Sequence, residues 1–419
     1  MKKNLIPIMG MLLMLLSCEK DSDSDNSTDT PQKMEDLEVS ENFTWKTTHN
    51  AVVTLPDSVA SKGKTIYIVD DNTIYYKGSS QNSEVEIVLP TYLNSDQLKV
   101  YTSDPFKPSA KSGKAADSDG DGVKDNKDDF PNDPNRAYIN MFPPTAPGTL
   151  VYEDLWPSKG DYDFNDMVID YQAQINTNAS NQVTEIIATV TLRATGAGYH
   201  NAFAFELPNL TPNNVINVSG YSVNDPLFNI AANGTEAGQS ALNVVVFDDA
   251  YNVLQHAGGT GINVDPLQTY VQPVDVTINM QFFDNGQFAP GGPISINDFT
   301  SFDPYIIANV NSDGRGREIH LPGQFPTDLA DTSYFNSYND DTNPVAYDGS
   351  PIPGGWIKTY ESHGNYPWAM NFYDNFSYMI EKNSILLGYL KFSSWAENGS
   401  NPNWYKINNP AFRNNQYIY

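Results

Sequence analysis

Residues 160–175 read GDYDFNDMVIDYQAQI, and two different signals meet inside that stretch. The second half alternates. Met167, Ile169, Tyr171, Ala173 and Ile175 hold one set of positions; Val168, Asp170, Gln172 and Gln174 hold the other. A period of two is the side-chain repeat of an extended strand, and a single apolar row means that one face of a sheet packs on a core. The pattern recurs at Ile186, Ala188, Val190, Leu192 and Ala194, at Phe203, Phe205 and Leu207, and at Val274, Val276, Ile278, Met280 and Phe282. Upstream, the short runs AVVTL, TIYIV, TIYYK, VEIVL and LKVYT are separated by Asp, Asn, Gly and Ser turns. One stretch breaks the period: in NSILLGYLKFSSWAENG, Ile385, Tyr389, Phe392 and Ala396 fall at helical spacing and Gly399 lies just past the end. The expected fold is mostly β, with a small N-terminal β-sandwich over residues 40–104. A larger antiparallel sandwich or jelly-roll-like domain with one C-terminal helix follows over 137–419.

The first half of the opening stretch is acidic. Asp161, Asp163 and Asn165 alternate, Asp166 follows, and Glu153 and Asp154 precede them on the same segment. Side-chain oxygens of this kind suit a hard cation, and Gly160 lets the chain curl around one. Asp154, Asp161, Asp163, Asn165 and Asp166 are therefore candidate calcium ligands; the alternative is a set of Asx turns leading into the strand. A second acidic run, DSDGDGVKDNKDDFPNDP, occupies residues 117–134 within a linker over 105–136. Asp117, Asp119, Asp121, the Val123 carbonyl, Asp125 and Asp128 stand at the loop positions that present oxygens to calcium, with Gly122 at the turn. No amphipathic helices flank the run, so it is not an EF-hand, and calcium would act as a structural strap.

The chain opens MKKNLIPIMGMLLMLLSC: a basic pair, an apolar run of about a dozen residues, then Cys18. This resembles a bacterial lipoprotein signal over residues 1–17, which implies that Cys18, the only cysteine, carries lipid and anchors the protein to a membrane. Residues 18–39 are polar and acidic and read as a flexible tether. They resemble the segment behind the lipidated cysteine of Bacteroidetes surface lipoproteins, which implies an outer-membrane, outward-facing location. With 51 Asp+Glu against 24 Lys+Arg, the net charge of −27 repels phosphate backbones and excludes a nucleic-acid partner. Five histidines lack zinc-site spacing, and neither G-x-S-x-G nor a P-loop is present. The reading is a non-enzymatic binding or adhesion protein whose partner is a glycan or a surface protein; the alternatives are a glycan-binding lipoprotein of a polysaccharide-uptake system and a glycoside-acting enzyme that uses a pair of its carboxylates. Trp356, Tyr360, Tyr366, Trp368, Trp395 and Trp404 are the candidate sugar-stacking rings.

Two further resemblances are specific. Residues 117–131 match the type-3 thrombospondin repeat at every acidic position, with Pro131 at its end and Phe130 where a cysteine is often found. YEDLWP…GDYDFNDMVIDY, GAGYHNAFAFELP, GREIHLPGQFPTDLAD, YPWAMNF and the terminal WAENG are together similar to the LruC-type domain of envelope lipoproteins. That resemblance covers roughly residues 117–419 and implies an exported, β-rich domain with no assigned catalytic residues.

Overall fold

A computed structural model describes residues 33–107, 116–196, 198–255, 258, 261–335, 360–361 and 365–419. The signal segment and Cys18 lie outside the described residues. In chain order the strands are β1 (Thr48–Thr54), β2 (Thr65–Val69), β3 (Ile74–Ser79), β4 (Glu84–Pro90), β5 (Lys99–Tyr101), β6 (Tyr138–Phe142), β7 (Gly148–Tyr152), β8 (Met167–Thr177) and β9 (Val183–Ala194). They continue with β10 (Ala202–Leu207), β11 (Asn217–Ser219), β12 (Leu242–Phe247), β13 (Val274–Gln281), β14 (Phe283–Asp284), β15 (Gln287–Phe288), β16 (Asp303–Ile307), β17 (Glu318–His320) and β18 (Ala369–Phe372). Every strand pairing is antiparallel, and the protein is mostly β, as its alternating sequence requires.

Strand β8 organises the large unit. One edge pairs with β9 along nearly its whole length; the other holds β7 against Met167–Tyr171 and β6 against Ala173–Thr177. The sheet runs β11-β13-β9-β8-β7-β18, and a four-stranded sheet, β12-β10-β16-β17, faces it. Between them lies the main core. Ile169, Tyr171, Ala173, Ile175, Ile186, Val190, Leu192 and Ile278 come from the first sheet, Phe203, Phe205, Leu207, Val244 and Ile306 from the second. The alternating rows of the sequence are these inward faces. The N-terminal unit pairs β1 with β4 and β3-β2-β5, closing on Val53, Leu55, Ile66, Ile68, Ile87 and Leu89.

Two expectations need correction. The acidic tether does not extend to residue 39: Met34 and Leu37 are buried, and with Trp45 they join a second core containing Phe392, Trp395 and Trp404. Few as they are, these side chains sit beside Phe43 and Trp45, and the aromatic cluster captures them. The single helix over 383–399 is in fact two short ones, α4 (Ile385–Gly388) and α5 (Phe392–Asn398). Tyr389 turns extended between them, the Leu390 N–H donates to the Phe412 carbonyl, and Tyr389 Oη donates to the Ser377 carbonyl. Tertiary partners for the backbone replace the helical bonds that the spacing predicted. Three further short helices, α1 (Ala250–Val253), α2 (Ile296–Thr300) and α3 (Val310–Asp313), carry no periodic signal. No described helix is long and apolar enough to cross a membrane.

Candidate metal centres

The loop at 117–128 folds back on itself through its own carboxylates. Asp117 accepts the N–H groups of Gly120 and Gly122, Asp119 that of Asp121, and Asp121 that of Val123. Gly122 has φ +95°, a conformation that L side chains rarely adopt. Asp117 spends both oxygens on the turn, Asp119 and Asp121 one each. The other oxygens of Asp119, Asp121 and Asp128 are buried without a partner, and ligand atoms of Asp117, Asp119 and Asp121 lie within 4.8 Å of one another. Burial, then the neighbouring carboxylates Asp121 and Asp119, pushes Asp128 up to about 6 although Phe130 N–H bonds it. Asp125 is turned away: its two oxygens accept the Ser118 N–H and Oγ–H at 2.8 Å each. Val123 anchors the loop among Ala137 and Tyr138. Asp129 next door accepts the Ile139 N–H and pairs with Lys77 of β3 at 2.6 Å. The loop therefore lies at the joint of the two sandwiches.

The second cluster is far more enclosed. Strand β7 delivers Glu153 and Asp154 into the interior, and the chain returns through Gly160–Asp166 to start β8. Tyr162 and Phe164 take left-handed φ values of 59° and 52° and bury their rings in the second core. Such backbone costs ~1–3 kcal/mol per residue and persists only where its surroundings enforce it. Its effect here is to bring Asp161 and Asp163 to Glu153, with ligand atoms of all three within 4.8 Å of one another. Glu153, Asp154, Asp163 and Asn165 are each at most 1% exposed, and Asp166 is 9% exposed; Asp161 stands at the surface.

The bonds that these groups make are mostly to main-chain N–H. Glu153 Oε1 accepts from Phe164, Asp163 Oδ2 from Lys382 at 2.6 Å, and Asp166 Oδ2 from Asp154. Asn201 Nδ2 donates to Asp154 Oδ2 at 2.8 Å. Among the described residues, no Lys, Arg or His forms an ion pair with any of the five carboxylates. Arg317 is adjacent but donates to the carbonyls of Asp154 and Trp156 and pairs with Asp313. Burial, reinforced by the Asp161 charge, pushes Glu153 up to about 8. Burial, with Glu153 beside it, pushes Asp163 up to about 10, and burial with Asp154 raises Asp166 well above the usual carboxylate range.

All five residues named from the sequence for this cluster, Asp154, Asp161, Asp163, Asn165 and Asp166, thus lie in one hub. Sequence reading left three participants out: Glu153, which was noted but not kept as a ligand, Asn201, and Gly196. A Cβ on Gly196 would collide with Asn165 Oδ1 and come within 3.0 Å of Asp166 Oδ1. Both Gly196 and Asn201 sit in the GAGYHN motif, which was legible as a motif but not as a wall of this site. The C-terminal aromatics are not surface platforms: Tyr360, Tyr366, Trp368, Trp395 and Trp404 are all buried, and Trp356 lies outside the described residues. His320 is fully buried as expected, whereas His200 is part-exposed and bonds Asp249.

These features define an all-β sandwich protein with acid clusters set at its joint and between its cores. Residues 181–405 match the family described as a domain of unknown function, DUF4842; more than half of the chain is covered, and the protein belongs to that family. The match includes Gly196 and Asn201 but begins after the acidic loop at 153–166. In fold the chain is similar to a crystal structure of a candidate lipoprotein from Bacteroides ovatus, with a TM-score of 0.50 and 14% identity. The likeness covers 89% of this chain and 93% of that one. No curated protein matches the chain.

Proposed function

We propose that this protein is a calcium-braced lipoprotein of the cell envelope, held at the outer-membrane surface by a lipid on Cys18 and acting as a binding or adhesion protein without catalytic chemistry. The observation that carries the calcium reading is the hub: Glu153, Asp154, Asp163 and Asp166 are buried together, and among the described residues none of them forms an ion pair with a Lys, Arg or His. Burying like charges costs several kcal/mol per ion unless a counter-charge enters, and calcium accepts six to eight such oxygens. The unpartnered oxygens of Asp119, Asp121 and Asp128 support a further, thrombospondin-like ion at the joint. The lipid anchor rests on the opening MKKNLIPIMGMLLMLLSC, and the description of the Bacteroides ovatus relative is in keeping with it. The LruC-type motifs favour the same envelope setting.

The test is a melt of the mature protein with calcium and with chelator. A transition several degrees lower in chelator is expected; superimposable melts would remove the metal reading. Cys18→Ser should move the protein from the membrane to the soluble fraction, and persistent membrane association would overturn the anchor. A second reading, glycan capture for polysaccharide uptake, is favoured by a cleft of about 730 Å3 between β1 and the large sandwich. Thr47, Asn50, Asn209, Gln324 and Asn371 line it, and no Asp or Glu does. Lys46 and His49 line it as well; such a wall offers donors and acceptors to sugar hydroxyls and no carboxylate pair for hydrolysis. A glycan array run with calcium decides between a sugar ligand and a protein partner.

A further inference from the structure

We propose that the buried hub holds two hard divalent cations, calcium by size and ligand type, in two adjacent donor sets. This rests on the calcium reading above and goes beyond it in number and place. The first set is Glu153, Asp161 and Asp163, whose ligand atoms converge within 4.8 Å. The second is Asp154 Oδ1, Asn165 Oδ1 and Asp166 Oδ1.

The bonding separates the two sets. Glu153 and Asp154 are neighbours in sequence, yet Glu153 Oε1 accepts the Phe164 N–H and its Oε2 faces Gly160, while Asp154 Oδ2 meets Asn201. Asn165 Oδ1 and Asp166 Oδ1 both point at Gly196, on the chain that follows β9. Each set has its own glycine wall: a Cβ on Gly160 would collide with Glu153 Oε2, and one on Gly196 with Asn165 Oδ1. Those two glycines keep open the space beside the ligand oxygens.

The second set also carries unpaired polar atoms, an observation independent of its charge. Asp154 Oδ1 and Asn165 Oδ1 have no hydrogen-bond partner, and both residues are fully buried. Asn165 is an amide held by its Nδ2 donating to the Met379 carbonyl, so its oxygen is aimed and not swinging. An unsatisfied buried acceptor costs about 1–3 kcal/mol, and two of them, on Asn165 and on the Asp154 whose N–H bonds Asp166, point to a missing electropositive partner. Asp166 is tied to this wall through the Asp154 N–H, and the Asp154 charge is the largest acting on it. Charge agrees with the count. Five carboxylates converge here, so one divalent ion leaves three negative charges uncompensated. Two ions leave one, and Asp161 at the surface can keep that one in water.

Calcium stoichiometry on the full mature chain, measured by equilibrium dialysis with metal analysis, tests this. Asp119→Ala with Asp121→Ala serves as background, so that the joint loop contributes nothing. The background should bind two calcium ions per chain. Adding Asp161→Asn should leave one, and adding Asp166→Asn should leave the other, each variant losing a single ion. Asp161 is exposed and Asn at 166 can still accept the Asp154 N–H, so both changes spare the fold; if Asp166→Asn nevertheless unfolds, the background count alone decides. One ion in the background, abolished by either variant, overturns the two-ion hub while leaving calcium bracing intact. No ion in the background, nor in the unmodified chain, overturns both.

Discussion

Two buried acidic regions of this protein reach opposite solutions to the same electrostatic problem. In the four-stranded sheet, Glu236 and Glu318 bind Arg315 at 2.6 and 2.5 Å, and His320 lies between Asp303 at 2.7 Å and Glu318 at 3.0 Å. An imidazole with an acceptor on each nitrogen donates twice only as the cation. Burial alone would lower its pKa, but Asp303 and Glu318 outweigh that and raise it to about 9. Glu318, for its part, overcomes burial through His320 and Arg315 and falls to about 2. In the hub no described cation forms an ion pair, the Arg317 charge beside Asp154 does not outweigh burial, and every enclosed carboxylate is pushed upward. The first region carries its cations in the chain; the second, on the calcium reading proposed above, draws them from solution. Acid content alone does not tell the two apart; the placement of the basic residues does.

The comparison breaks most sharply at Arg315. Arg315→Ala strands Glu236 and Glu318 in the interior and should destabilise the protein by about 3–5 kcal/mol, equally with and without calcium. Denaturant unfolding of the variant in both conditions measures this, and a calcium-dependent loss would mean that the two regions are coupled. The next effect is chelation. At calcium a hundredfold above Kd, each occupied site adds about 2.7 kcal/mol, so chelation should lower the Tm by several degrees per site in a differential scan.

A third experiment compares signs. Without metal, burial holds Asp163 protonated at neutral pH, which costs stability because the unfolded carboxyl is ionised; Asp163→Asn removes that cost, so it should raise the Tm in chelator and lower it in calcium by removing a ligand. The equivalent Glu318→Gln should lower the Tm in both, since it leaves Arg315 and His320 under-paired. A fall in both conditions for Asp163→Asn would show that the hub is balanced without metal.

The smallest effect is one of pH. The folded pKa of His320, about 9, lies above its unfolded value near 6.5, so its contribution is complete below about pH 6.5 and is lost as pH rises through 9. The groups facing it are Asp303, Glu318 and the stacked ring of Tyr305, with Glu206 and Arg315 beyond. His320→Gln should therefore cost most stability near pH 6 and progressively less as the pH rises to 10. A gap that stays constant from pH 6 to pH 10 would assign His320 a neutral structural role.

How much was legible depends on how local the signal is. The rows from Met167 to Ile175 and from Ile186 to Leu192 declared sheet and core because side-chain alternation is a property of consecutive residues. The aspartates at 117–121 and at 161–166 declared themselves by spacing for the same reason. The C-terminal helix misled because Tyr389 has helical spacing but its neighbours bond the tail, Leu390 N–H donating to the Phe412 carbonyl and Asn414 N–H to the Gly388 carbonyl. Met34 and Leu37 misled because two apolar residues in an acidic segment say nothing of the aromatic cluster that they meet.

The sequence by itself thus determined the β class, the acidic character and the two candidate cation loops, all through residue type and short-range order. Only tertiary structure decided that Glu153 faces Gly160 while Asp154 faces Asn201, and that Arg315 and His320 neutralise one acidic region while the other has no ion pair among the described residues. Those choices set partners against each other from segments far apart in the chain. Desolvation, which makes an unpaired carboxylate costly and a cation site worthwhile, arises only when those segments close over it.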